Sequence, residues 1–204
     1  MKKSKTPRYV TPAGIAQYPY LTKPDTKFNP DGEYKLSLQV PTEESTSLIA
    51  FLDEQLAESI AKAKNENPGK KIKEGTAGYE VDEETGNTTF RFKLKAKVTM
   101  KSGDSFEQRP ALFDSKGKPL DSSVNIAGGS KVKVSYEILP YYTAIAGAGL
   151  SLRVRAVQVI DLVEFSGGGA GAFGFGEEEG YVANEKVNND FSEETSEEDE
   201  TADF

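Results

Sequence analysis

The chain has 204 residues, a formal net charge of −8, and neither cysteine nor histidine. That composition excludes disulfides, thiolate and imidazole metal sites, Ser-His and Cys-His nucleophiles, and imidazole acid–base catalysis. Only carboxylate chemistry stays open, because magnesium or glycosidic sites need no more than Asp and Glu.

The opening MKKSKTPRYV supplies Lys2, Lys3, Lys5 and Arg8, a basic arm that leads into no apolar signal segment. No apolar run approaches the ~18–20 residues that span a bilayer, so a soluble cytoplasmic protein without a membrane partner is expected. A first strand is expected around Ala13–Tyr20, carrying Tyr18 and Tyr20. Glu33–Val40 (EYKLSLQV) then alternates with period two and puts Tyr34, Leu36, Leu38 and Val40 on one face, as a half-buried strand requires. A helix follows, because Leu48, Ile49, Phe51, Leu52, Leu56 and Ile60 recur at helical spacing. Thr42 is the expected cap, Glu43 and Glu44 suit the positive end of the dipole, Lys62 and Lys64 suit the other end, and Pro68-Gly69 stops the helix. Tyr79 falls in the glycine-flanked loop beyond.

Phe90–Met100 (FRFKLKAKVTM) carries the clearest alternation: Phe90, Phe92, Leu94, Ala96, Val98 and Met100 on one side, Arg91, Lys93, Lys95 and Lys97 on the other. Cations two residues apart along a strand stand ~6.6 Å apart, close to the spacing of phosphates in an extended single strand. A solvated outer face that merely discourages edge pairing would carry the same lysines. Repetition favours the phosphate surface. Lys131 and Lys133 stand outward on the next strand, Lys131–Ile138, and Arg153 and Arg155 on the last, Leu150–Val163, so the three strands would form one basic surface if adjacent. The last strand changes phase near Ala156, the mark of a bulge or strong bend. Tyr141 and Tyr142, after Pro140, join Tyr18, Tyr20 and Tyr79 as aromatics that could stack on exposed bases; Tyr34, Tyr136, Phe90 and Phe92 are read as core. Curved strands with one inserted helix fit a mainly β, five-stranded Greek-key barrel rather than a parallel sheet, which would need a helix in each crossover. The body's acidic residues are scattered, as in Asp82-Glu83-Glu84 and Glu43-Glu44, with no strand-end pair to gather a metal. No cofactor and no enzymatic activity are expected.

Residues 166–176, SGGGAGAFGFG, read as a flexible linker, and residues 177–204 as a disordered acidic tail with too little apolar density to order itself. From 166 to the end the net charge is −11, which leaves the body, residues 1–165, at +3. Such asymmetry marks proteins that handle nucleic acid. A polyanion tethered to a basic body would compete with DNA for the same cations.

The order GEYKLSLQV, helix, basic strand, RPALFDSKGKPL, GSKVKVSYEILPYY and GLSLRVRAVQVIDL, ending on EEDETADF, resembles the replicative single-stranded DNA-binding proteins encoded by short-tailed phages. The resemblance covers most of residues 10–165 together with the tail. It implies an oligonucleotide/oligosaccharide-binding (OB) barrel that binds single-stranded DNA without sequence preference in replication, recombination and repair. It further implies that the tail recruits a polymerase, helicase-primase or nuclease through its end, Glu197, Glu198, Asp199, Glu200, Asp203 and Phe204. Arg91, Lys93 and the loop tyrosines would lie on the DNA side. A homodimer stays open, as does a virion structural or assembly protein with a solubilising tail.

Overall fold

A computed structural model describes residues 6–100, 102–121 and 123–164. Lys2, Lys3 and Lys5, the glycine linker and the acidic tail with Glu197, Glu198, Asp199, Glu200, Asp203 and Phe204 lie outside the described residues. Among the described residues ten strands and one helix follow one another: β1 (Tyr9–Val10), β2 (Gly14–Asp25), β3 (Glu33–Pro41), α1 (Thr42–Glu66), β4 (Tyr79–Asp82), β5 (Asn87–Lys95), β6 (Lys97–Thr99), β7 (Ser105–Glu107), β8 (Ala111–Phe113), β9 (Lys131–Thr143) and β10 (Gly147–Asp161).

Period two acts as the sequence dictates. On β3 Tyr34, Leu36, Leu38 and Val40 are buried, and on β5 Phe90, Phe92 and Leu94 join them, while Lys35, Arg91 and Lys93 face outward. Those apolar faces cover one another, with Leu52 and Leu56 of α1 in the same core, and the sheet closes on itself. Antiparallel pairs link β2 to β3, β3 to β5, β10 to β9 and β9 back to β2; β5 and β10 run parallel, with Leu152 beside Phe92. The result is a closed five-stranded Greek-key barrel of OB type, β2-β3-β5-β10-β9, filled by Leu38, Phe90, Phe92, Val134, Leu152 and Val154 among others. Full burial of each such side chain is worth roughly 1.5–3 kcal/mol.

Two irregularities shape the outer surface. In β10 the register moves from Val154 opposite Tyr136 to Ala156 opposite Ser135, leaving Arg155 without a partner residue. This bulge is the phase change read near Ala156, and it turns Val157 and Val159 inward. The expected single strand Phe90–Met100 is broken at Ala96. Its N–H donates to Gly32 O at 2.9 Å and its carbonyl accepts from Gln108 N at 2.8 Å, so Lys97–Thr99 leave the barrel and pair with Ser105–Glu107 as a separate two-stranded sheet.

Helix α1 lies mainly against β10, burying Leu52, Leu56 and Ala63 and setting Phe51 against Tyr9, ring centroids 4.9 Å apart. Ser59 Oγ donates to Gly149 O at 3.3 Å. Thr42 is the first helical residue and not the cap. Pro41 holds that position with no side-chain bond, while the Thr42 hydroxyl pairs with that of Thr88 at 3.0 Å. The far end stops as expected, with Asn67 Nδ2 donating to Ala63 O ahead of Pro68-Gly69. Among the described residues no helix is long and apolar enough to cross a membrane.

Candidate nucleic-acid interface

The register of the barrel lines up side chains that are far apart in sequence. Tyr20 on β2 lies opposite Lys35 on β3, Lys35 opposite Lys93 on β5, and Lys93 beside Arg153 on β10. Neighbouring strands are ~4.8 Å apart, so one aromatic ring and three cations form a row across four strands. Cations directly opposite one another repel, and carboxylates offset this at the two outer cations, Asp25 at Lys35 and Glu137 at Arg153. Lys35 Nζ bonds Asp25 Oδ2 at 2.5 Å and lies 5.1 Å from the Tyr20 ring centroid. That hydrogen bond lowers the Asp25 pKa and raises that of Lys35. Lys93 and Lys95 have no ion-pair partner among the described residues.

Arg91, two positions before Lys93, lies opposite Ser37 and pairs with Glu80 of β4. Lys95, two positions after, faces Glu33. The fourth cation expected on this strand, Lys97, stands on the β6–β7 hairpin opposite Glu107. At the other end of the row Glu137 of β9 lies opposite Arg153; its carboxylate is 3.6 Å from Arg153, 3.4 Å from Arg155 and 3.6 Å from Arg8. Lys131 and Lys133 are exposed on β9 but sit opposite Asp161 and Gln158. They are six and four residues from Glu137, ~20 and ~13 Å along the strand. The structure thus gathers Arg91, Lys93, Lys95, Arg153 and Arg155, adds Lys35, and leaves Lys131, Lys133 and Lys97 apart from them.

The tyrosines divide in the same way. Tyr18 is 80 % exposed at φ +48°, in the irregularity between Gln17 and Tyr20. A left-handed backbone at a bulky non-glycine residue costs about 1–3 kcal/mol and clusters at ligand clamps. Tyr20, on the row, is also exposed. Tyr79 is not in a loop: it opens β4, packs on Phe90 with centroids 5.9 Å apart, and donates its hydroxyl to Asp53 of α1 at 2.6 Å. Burial and that bond push its pKa up to about 12. Tyr141 and Tyr142 likewise lie within β9, which continues past Pro140 to Thr143. Both are half-buried, opposite Gly149 and Ala148, and the Tyr141 hydroxyl fills the space a Gly149 side chain would need.

Besides Lys35, two residues went unread in the sequence. Phe28, 85 % exposed, stands in the turn joining β2 to β3, with Lys27 Nζ 5.4 Å from its ring centroid. The turn is fixed by Asp25 and Asn29 carboxyl and amide oxygens accepting from Lys27 N and Asp31 N, and by Gly32 at φ +76°. A lone aromatic in a turn has no periodicity to reveal it; the adjacent Lys is its only signal. An open cleft of about 700 Å³ separates this turn from the β6–β7 hairpin, lined by Pro24, Thr26, Pro30, Lys97 and Arg109. The other unread residue is Glu137, an acidic position within an apolar-alternating strand. Among the described residues no group of three or more acidic side chains could hold a metal.

Residues 13–162 match the family model described as single-stranded DNA-binding protein, bacteriophage T7. The chain is 31% identical over 198 residues to the single-stranded DNA-binding protein of Escherichia phage T7, covering 86% of this chain and 84% of that protein. It is 32% identical over 200 residues to the counterpart of Enterobacteria phage T3, covering 87% and 86%. The crystal structure of gp2.5, a single-stranded DNA-binding protein encoded by bacteriophage T7, superposes with a TM-score of 0.70 at 31% identity, over 88% of this chain and 100% of that one.

Proposed function

The chain belongs to the T7 single-stranded DNA-binding protein family, and from that premise we propose that it binds and protects single-stranded DNA, without sequence preference, along the outer face of its barrel. The observation that carries this reading is the in-register row Tyr20–Lys35–Lys93–Arg153, flanked by Arg91, Lys95 and the exposed rings of Tyr18 and Phe28. Phosphates need cations spaced along a path, and bases need aromatic faces beside it; a groove-reading helix, which duplex recognition calls for, is not part of this surface. In this reading Lys93 and Lys95 meet phosphates, Tyr18, Tyr20 and Phe28 stack on bases, and Tyr79 and Tyr141 chiefly hold α1 and the β9–β10 hairpin in place. The acidic tail competes with DNA for the row and, once displaced, recruits replication proteins through Asp203 and Phe204.

A fluorescence titration with oligothymidylate and with a duplex of equal length tests the reading. Binding should be tighter to the single strand. Phe28→Ala should weaken it by the ~1–3 kcal/mol a base stack is worth while leaving the melting temperature unchanged, because the ring is 85 % exposed. Equal or tighter binding to the duplex would overturn the proposal.

A further inference from the structure

Glu137 is an acidic residue on the face proposed to bind a polyanion, and its side chain is only 8 % exposed. Burying a carboxylate is costly unless it is paired, and here three guanidinium groups converge on it. Each arrives by a different structural device. Arg153 is its direct cross-strand neighbour on β10. Arg155 is the unpartnered residue of the β10 bulge, where the added local twist brings it within 3.4 Å. Arg8 precedes β1, whose Tyr9 lies opposite Tyr136, so it comes beside Glu137 from the other side.

The way each arginine is approached matters. Arg8 and Arg155 present Nε to the carboxylate, and Arg153 presents Nη1. At Arg8 and Arg155 it is Nε, at 3.6 and 3.4 Å, that meets the carboxylate, and the planar fork of a guanidinium is what a phosphate fits in bidentate fashion. One carboxylate among three cations leaves a local charge of +2 at the end of the Tyr20–Lys35–Lys93–Arg153 row.

We propose that Glu137 is a positioning residue that holds Arg8, Arg153 and Arg155 as a single preorganised clamp for a backbone phosphate of the bound strand. It rests on the DNA-binding reading above. Without the carboxylate the three guanidinium groups repel one another and regain rotamer freedom that a phosphate must remove again on binding.

The expected sign is opposite to that of charge alone. Glu137→Gln raises the net charge by one, which by simple electrostatics should tighten binding to DNA. The clamp predicts instead that affinity for oligothymidylate falls about 3–10-fold and that the slope of log K against log salt shrinks by about 0.7, the share of one phosphate contact. Arg155→Lys keeps the charge but has no Nε or planar fork, and should lose about as much. The double variant should bind no more weakly than either single one, because both break the same unit. Circular dichroism confirms that each variant is folded; if Glu137→Gln does not fold, Arg155→Lys decides alone. A wild-type protein that fails to bind oligothymidylate overturns the DNA-binding reading and the clamp with it. Wild-type binding with unimpaired or tighter binding by Glu137→Gln, or by Arg155→Lys where that variant alone is folded, overturns only the clamp.

Discussion

Two tyrosines show how the same group stabilises or costs according to its partner. Tyr136, 1 % exposed, has no hydrogen-bond partner for its hydroxyl among the described residues. A buried unsatisfied hydroxyl costs about 1–3 kcal/mol, so Tyr136→Phe should leave stability unchanged or raise it by up to that amount. Tyr79 is the reverse case: its hydroxyl donates to Asp53 and ties β4 to α1. Tyr79→Phe should lower stability by about 0.5–1.5 kcal/mol. Urea unfolding of both variants checks the pair. Both phenols have their pKa pushed up to about 12, chiefly by burial. The folded state therefore holds these protons more tightly than the unfolded chain. Their contribution is complete below the ordinary phenol value near 10 and is lost as pH rises through about 12. In an alkaline series Tyr79→Phe, with one fewer raised phenol, should lose stability less steeply than the wild type.

At the scale of the element, β5 is where the core and the proposed binding surface meet. Phe90, Phe92 and Leu94 fill the barrel while Arg91, Lys93 and Lys95 face out between them, so the packing of one face fixes the positions of the other. If the basic surface is a track for phosphates, place should matter as well as charge. Replacing Lys93 and Lys95 with Ala should reduce the salt slope of oligothymidylate binding by about 1.4, two contacts at about 0.7 each. Replacing Lys131 and Lys133 removes the same charge from the distant end of β9 and should reduce the slope by less. Equal reductions would mean that the strand's path reaches both ends of the barrel. The bulge in β10 has a comparable double role. It returns Val157 and Val159 to the core and leaves Arg155 free of a partner residue, beside Glu137.

For the whole molecule the governing quantity is the division of charge, −11 from residue 166 onward against +3 before it. Deleting residues 177–204 should tighten binding to oligothymidylate, most of all at low salt, where screening is weakest. Removing Phe204 alone leaves the charge unchanged, because the phenylalanine side chain is neutral. That variant should bind DNA like the wild type yet lose partners in a replisome pull-down. No tightening on tail deletion at low salt, or an intact pull-down without Phe204, would count against the tail's proposed role.

Much of this molecule follows from its sequence alone. Alternation with period two specifies the buried faces of β3, β5 and β9, helical spacing specifies α1, and a break in alternation places the bulge near Ala156. These are local rules, set by backbone geometry within a few residues. The missing Cys and His exclude whole classes of chemistry before any folding. Tertiary structure decided what depends on register. Nothing in the sequence says that Tyr20, Lys35, Lys93 and Arg153 share one row, that Lys97 steps off onto a hairpin, or that Lys131 and Lys133 sit opposite Asp161 and Gln158. Nor does it show that Glu137 collects three arginines or that Tyr79 is bound to Asp53. Pairing between distant strands is chosen by closure of the barrel around its core, and a shift of one residue in a strand's pairing would send that strand's side chains to the opposite face.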